Sequence, residues 1–199
     1  MSSSAGEPKS WRLFLAASLN DSVRAALAAP LAGLAPLAAL VVPSRIEAIH
    51  LTLHFMGQVE SNRLIELEAE LARVIASFAA FELEVSGVGA FPSPRRPRVI
   101  WAGISGPAGP QLVEIHRASA KPLRSAGIAL EDRAYAPHLT LGRLRRDPRI
   151  TEREPLARWM RRWEGSRFGK FEVDALHLMR SDLSARPPRY TVVATFALQ

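Results

Sequence analysis

The sequence predicts an α+β fold of two pseudo-symmetric lobes, each a mostly antiparallel sheet with outer helices, facing each other across a central groove. Three observations predict it. Short segments with strand patterning alternate with longer segments whose apolar residues recur at helical spacing. The second half of the chain retells the order of the first, which points to an internal duplication. The tetrapeptide His-Leu-Thr-Leu stands at matching places in the two halves, at residues 50–53 and 138–141.

Taken in order, residues 1–10 are small and polar and read as a disordered tail before a single bilobal domain over 11–199. They lack the basic start and apolar stretch of an export signal. The apolar run RLFLAASL (12–19) suits a strand, and Asn20 and Asp21 offer N-cap chemistry for a helix running to about Ala39. IHLTLHFMG (49–57) alternates like a strand, with His50, Thr52 and His54 on one face and Leu51, Leu53 and Phe55 on the core face. Leu64, Leu67, Leu71, Val74, Ile75 and Phe78 mark an amphipathic helix. FELEVSGVGAF (81–91) and PRVIWAGI (97–104) read as neighbouring strands joined by PSPRR, where proline and serine punctuate the chain.

The second half supplies a helix near Gln111–Ser125, a strand over 135–144, a helix near Glu152–Trp163, and strands over 171–181 and 189–198. His138 follows His50 by 138 less 50, or 88 residues; Phe171 follows Phe81 by 90; RLFLA at 12 aligns with VIWAG at 99. Two copies of one strand-and-helix unit, burying one sheet face under helices, give the two-lobed arrangement.

Composition narrows the chemistry. A chain of 199 residues with 48% hydrophobic content is large enough for one substantial core. It has no cysteine, which excludes disulfides, thiolate metal sites and a cysteine nucleophile, and permits a reducing, cytoplasmic setting. The longest apolar stretch is broken by Pro30, Pro36 and Pro43, so no membrane span is expected. The formal charge of +7 is carried mostly by arginine, in runs at 94–98, 143–149, 158–163 and 186–189. A polyanion partner fits that excess, although such runs also serve simply as solvated surface.

The repeated motif carries the chemistry. With five histidines and five threonines in the chain, chance predicts roughly 0.13 His-x-Thr pairs, so two in matching strands are a specific signal. A histidine and the threonine two residues later project from the same side of a strand and can reach one ligand together. Two imidazoles can divide the roles of general base and general acid near neutral pH, while two hydroxyls hold phosphate oxygens. That set suits phosphodiester cleavage, and no cluster of residues at metal-ligand spacing accompanies it.

His54 lies two residues beyond Thr52, but strand residues four apart are about 13 Å apart, too far for His50 and His54 to share one ion. His54 is therefore expected at the groove edge or surface, and His116 and His177 in structural roles. Phe14, on one strand face with Arg12, is a candidate for stacking on an RNA base, with core packing as the alternative; Trp101 is weighed the same way.

From Arg12 onward the chain resembles the 2H phosphoesterase superfamily, and within it the bacterial RNA 2′,3′-cyclic phosphodiesterases, historically called 2′-5′ RNA ligases. The resemblance rests on RLFLAASL, HLTLHFMG, GAFPSPRRPRVIWAGI, PHLTLGR and the closing FEVDALHLMRSDLS with RYTVVATF. It implies hydrolysis of 2′,3′-cyclic phosphate ends of RNA, or of cyclic nucleotides, to 2′-phosphomonoesters without a cofactor. It also implies His50 as proton donor, His138 as proton acceptor and Arg143 as a phosphate ligand, beside Thr52 and Thr140, which the motif's own chemistry makes candidate substrate ligands. The chain departs from its relatives at Ala136, where a basic residue is frequent, and at the variable position of His54. Three other readings stand beside hydrolysis of RNA ends: 2′-5′ joining of RNA ends, opening of small cyclic nucleotides, and a non-catalytic RNA-binding module.

Overall fold

The computed structural model describes residues 10–185 and 188–199. The expected tail lies outside the described residues except for Ser10, which opens strand β1 (Ser10–Ala17). Helix α1 (Asp21–Ala32) is capped by Asn20, whose side chain accepts from the Val23 amide at 3.0 Å. It ends well before Ala39. At Gly33 an added Cβ would lie 2.9 Å from the Trp159 indole nitrogen, which donates to the Pro30 carbonyl, and Pro36 then turns the chain into a short 3-10 segment. A strand absent from the sequence reading follows, β2 (Val41–Pro43). The remaining elements are β3 (Leu51–Glu60), α2 (Leu64–Ile75), β4 (Phe81–Ser93), β5 (Arg96–Ser105), α3 (Gly109–Ser125), β6 (His138–Leu144), α4 (Ile150–Trp163), β7 (Arg167–Val173), β8 (Ala175–Asp182) and β9 (Arg189–Ala197).

The strands form one antiparallel sheet in the order β7-β4-β5-β6-β3-β1-β8-β9, with β2 beside β6. The two lobes are thus the halves of a continuous sheet. They meet between β3 and β6 at one residue pair, Leu51 opposite Leu139. The rest of that edge of β6 pairs with β2, from Val41 opposite Leu144 to Pro43 opposite Gly142. One contiguous apolar core lies under the sheet, and Leu51, Leu53, Leu139 and Leu141 all point into it.

Three expectations are corrected here. Residues 171–181 do not form one strand. The chain breaks at Asp174, so that β7 pairs with β4 at one end of the order while β8 pairs with β1 near the other. Strands one residue apart in sequence can stand so far apart in the order only because the sheet curls strongly. Phe81 and Phe171 are accordingly not equivalent positions of two lobes but neighbours in one, since Phe81 faces Val173 and Leu83 faces Phe171. The alignment of Phe14 with Trp101 also shifts. Ala16 stands opposite Thr52 as Trp101 stands opposite Thr140, so Ala16 is the counterpart of Trp101.

Candidate active site

The Leu51–Leu139 pair places the motif side chains. Antiparallel register about it sets His50 beside Thr140 and Thr52 beside His138, on the face away from the core. All four are half-buried, between leucines that are fully buried. The two histidines occupy a diagonal of this square, which in a regular antiparallel pair separates Cα atoms by about 7–8 Å. That spacing lets both imidazoles reach one small ligand, with a hydroxyl next to each.

Each imidazole is held from behind. His138 donates from Nδ1 to the carbonyl of Ala136 at 2.8 Å. A carbonyl can only accept, so Nδ1 carries the proton and the neutral ring presents its Nε2 lone pair. Phe91 meets this ring edge-on at 4.9 Å. Burial lowers the His138 pKa, the bond to Ala136 opposes that, and the charges of Arg143 and Arg133 lower it further.

His50 is bonded to the backbone of Ala48 and stacks on Phe14 at 4.6 Å, with Tyr190 edge-on at 5.4 Å. Burial takes its pKa down to about 4, against the raising effect of the Ala48 bond; the charge of Arg24 lowers it too. Arg24 also donates to the carbonyls of Leu19, Ile46 and Ile49, tying down the turn that delivers His50.

Beyond the threonines both motif strands bulge in the same way. In β3, Leu15 faces His54 while Ala16 faces Thr52, leaving Leu53 as the extra residue. In β6, Ile100 faces Gly142 while Trp101 faces Thr140, leaving Leu141 as the extra one. A bulge reverses the alternation that follows it. This brings Arg143 onto the groove side with His138 and Thr140, and it corrects the reading of β3. Phe55, expected in the core, is 46% exposed, and His54, expected at the groove edge or surface, is 4% exposed, buried against α3 at the edge of the groove cavity.

His54 lies against α3. It donates from Nε2 to the His116 carbonyl at 2.9 Å, with the Ser119 hydroxyl at 3.1 Å. The His54, His116 and Tyr135 rings form a continuous stack with centroids 4.2 and 4.0 Å apart, and the Tyr135 hydroxyl donates to the Thr52 carbonyl at 3.0 Å. The stack fastens the segment before His138 to the first motif strand.

Phe14 takes the packing alternative. At 3% exposure, beneath His50 and beside Tyr190, it offers no free face to a base. Tyr190, Phe91, Arg24 and Tyr135 also build the site, and the sequence motif alone does not point to them. Tyr190, Phe91 and Arg24 come from distant segments, and no spacing ties them to the motif; Tyr135 stands only three residues before His138, but its contact with Thr52 is made by the fold. A cavity of about 760 Å³ opens beside the square, lined by Thr52, Phe55, Phe91, Arg98, His138 and Arg143 among others. Among the described residues no three His, Asp or Glu side chains are grouped to hold a metal, and no helix is long and apolar enough to cross a membrane.

The family model described as the 2′-5′ RNA ligase superfamily matches residues 41–185, a span that contains both motifs and the strands between them. The chain belongs to that superfamily. Among relatives in the 2′-5′ RNA ligase superfamily, an RNA 2′,3′-cyclic phosphodiesterase of Archaeoglobus fulgidus is 31% identical, over 93% of this chain and 99% of its own length. Another of that name, from Methanothermobacter thermautotrophicus, is 31% identical over 94% and 98%. A crystal structure of a Thermus thermophilus protein superposes with a TM-score of 0.75 at 30% identity, covering 94% of this chain and 97% of that one. The fold is also that of E. coli LigT complexed with 3′-AMP, with a TM-score of 0.76 at 24% identity over 96% and 99% of the two chains.

Proposed function

We propose that this protein is an RNA 2′,3′-cyclic phosphodiesterase that opens cyclic phosphate ends to 2′-phosphomonoesters by acid-base catalysis between two histidines. The observation that carries the reading is the square of His50, Thr52, His138 and Thr140, with the His138 Nε2 lone pair left free by the bond to Ala136. Relatives at about this length that bear the name RNA 2′,3′-cyclic phosphodiesterase support the substrate class.

His138 accepts a proton from water as its oxygen attacks phosphorus. On the opposite side His50 donates a proton to the departing ribose 3′ oxygen, so the ring opens with the phosphate left on the 2′ oxygen. The Thr52 and Thr140 hydroxyls and the Arg143 guanidinium hold the non-bridging oxygens as charge builds on them. Each proton in this step is moved by an imidazole.

The test is to incubate the purified protein with a cyclic-ended oligonucleotide and with a 2′,3′-cyclic mononucleotide, and to follow the products by phosphorus NMR. A 2′-monoester is expected from both. Absence of turnover on both, or a 3′-monoester product, would refute the reading.

A further inference from the structure

We propose that the RNA chain preceding the cyclic end leaves the site across the β4–β5 hairpin of the His138 half, where Arg95, Arg96 and Arg145 meet its phosphates. The inference rests on the reading of the site as a cyclic-end phosphodiesterase. Its starting point is an asymmetry. The square of motif residues is nearly symmetric, but the cavity beside it is not: His138 and Thr52 line it, whereas His50 and Thr140 do not. From His138 the cavity has two flanks. One runs along β6 to Arg143 and Leu144 and across to Arg98, Pro92 and Phe91 of the hairpin. The other is the 130–136 segment, where Arg133 is paired with Glu131, so the unneutralised positive charge lies on the hairpin flank. A substrate whose phosphate sits among the four motif side chains has this cavity beside it to receive the rest of its terminal nucleotide.

Charge continues the path past the cavity. Ser93 faces Arg96 where the hairpin closes, which puts Arg95 and Arg96 at its tip. Val99 faces Arg143 on β6, so Arg145 comes alongside the base of the same tip. Arg95, Arg96, Arg98, Arg143 and Arg145 are all exposed, and none joins an ion pair among the described residues, whereas Arg73, Arg133, Arg146, Arg161 and Arg167 are each paired with a glutamate. Five unneutralised guanidinium groups on one rim create a local positive potential suited to a phosphodiester chain. The corresponding rim of the other half also carries arginines outside any ion pair among the described residues, Arg12 and Arg189, but it mixes them with acids, since Glu60 stands opposite Ser10 and Asp182 opposite Arg189.

The experiment compares a cyclic-ended hexanucleotide with the 2′,3′-cyclic mononucleotide of the same terminal base. For the double variant R95E/R96E, and separately for R145E, the ratio of kcat/KM for hexamer over mononucleotide should fall at least tenfold at low salt. For the double variant, the slope of log affinity against log salt should flatten by between about one and two, close to one counterion per arginine. The double variant R12E/R189E, on the opposite rim, should keep the wild-type ratio. An unchanged ratio in both hairpin variants, or an equal fall in R12E/R189E, would overturn the path.

Fluorescence anisotropy with a labelled hexamer ending in a 2′-phosphate separates this proposal from the activity it rests on. If the wild type opens neither substrate but R95E/R96E still weakens hexamer binding, the activity reading fails and the path stands. If hexamer binding is unaffected, the path is refuted whatever the turnover.

Discussion

Occupation of the site by a tetrahedral anion should change the protonation of His50 more than any other property of the protein. Burial holds its pKa at about 4. At pH 7 only about one molecule in a thousand then carries the proton that a general acid must donate. A phosphate bound between the histidines reverses the balance. One negative charge at about 4–5 Å, with an effective dielectric constant of about 20, favours the imidazolium by roughly 3–4 kcal/mol, or two to three pH units. The pKa should therefore rise to between about 6 and 7 in the complex, so that binding itself arms the donor. Sulfate is a suitable probe because its charge is constant from pH 4 to 8. The assay is an NMR titration of the His50 ring in chloride and in saturating sulfate at equal ionic strength. A rise of at least two pH units is predicted, accompanied by proton uptake on sulfate binding near pH 6. If sulfate perturbs the Thr52 and Thr140 signals while His50 stays near 4, the coupling is wrong, and another group must supply the leaving-group proton.

Two further outcomes follow from the same structure. His54, buried and neutral, has a pKa of about 4 against 6.5 for a free imidazole. Its contribution to stability is complete above pH 6.5 and is lost as pH falls toward 4, because only the unfolded chain binds the proton over that interval; the loss is about 3 kcal/mol at most. Urea unfolding at pH 7 and pH 5 should show it, and the variant His54→Gln should show a shallower pH dependence; an identical slope would remove His54 as the cause. Activity should persist in excess EDTA, since imidazoles move both protons; complete loss that a divalent ion restores would contradict this step.

The four motif residues were legible from the sequence because a period of two is all that is needed to put His50 with Thr52, and His138 with Thr140, on one face. The same rule misplaced His54 and Phe55, since it holds only until a bulge, and bulges at Leu53 and Leu141 arise from pairing with β1 and β5 that no local pattern encodes. The order of elements was readable from apolar spacing. The break at Asp174 was not, because the residues on either side are equally strand-like and part company only in their partners, β4 for one and β1 for the other. Tyr190 and Phe91 reach the histidines through the curl of the sheet, a property of the assembled strands. Arg143 was placed by resemblance alone, and the bulge in β6 supplies the physical reason it faces the groove.

The most direct test of the two-histidine site is the rate of His50→Ala and His138→Ala, each measured in single turnover on a cyclic-ended oligonucleotide and on a phosphodiester with a nitrophenolate leaving group. On the oligonucleotide each substitution should lower the rate by roughly 10² to 10⁴, and the double variant by far less than the product of the two, as expected for groups acting as a unit. On the nitrophenolate substrate, whose leaving group needs no proton, His50→Ala should lose little and His138→Ala should remain severely impaired. The reverse pattern would exchange the two roles, and undiminished rates in both single variants would contradict the site itself.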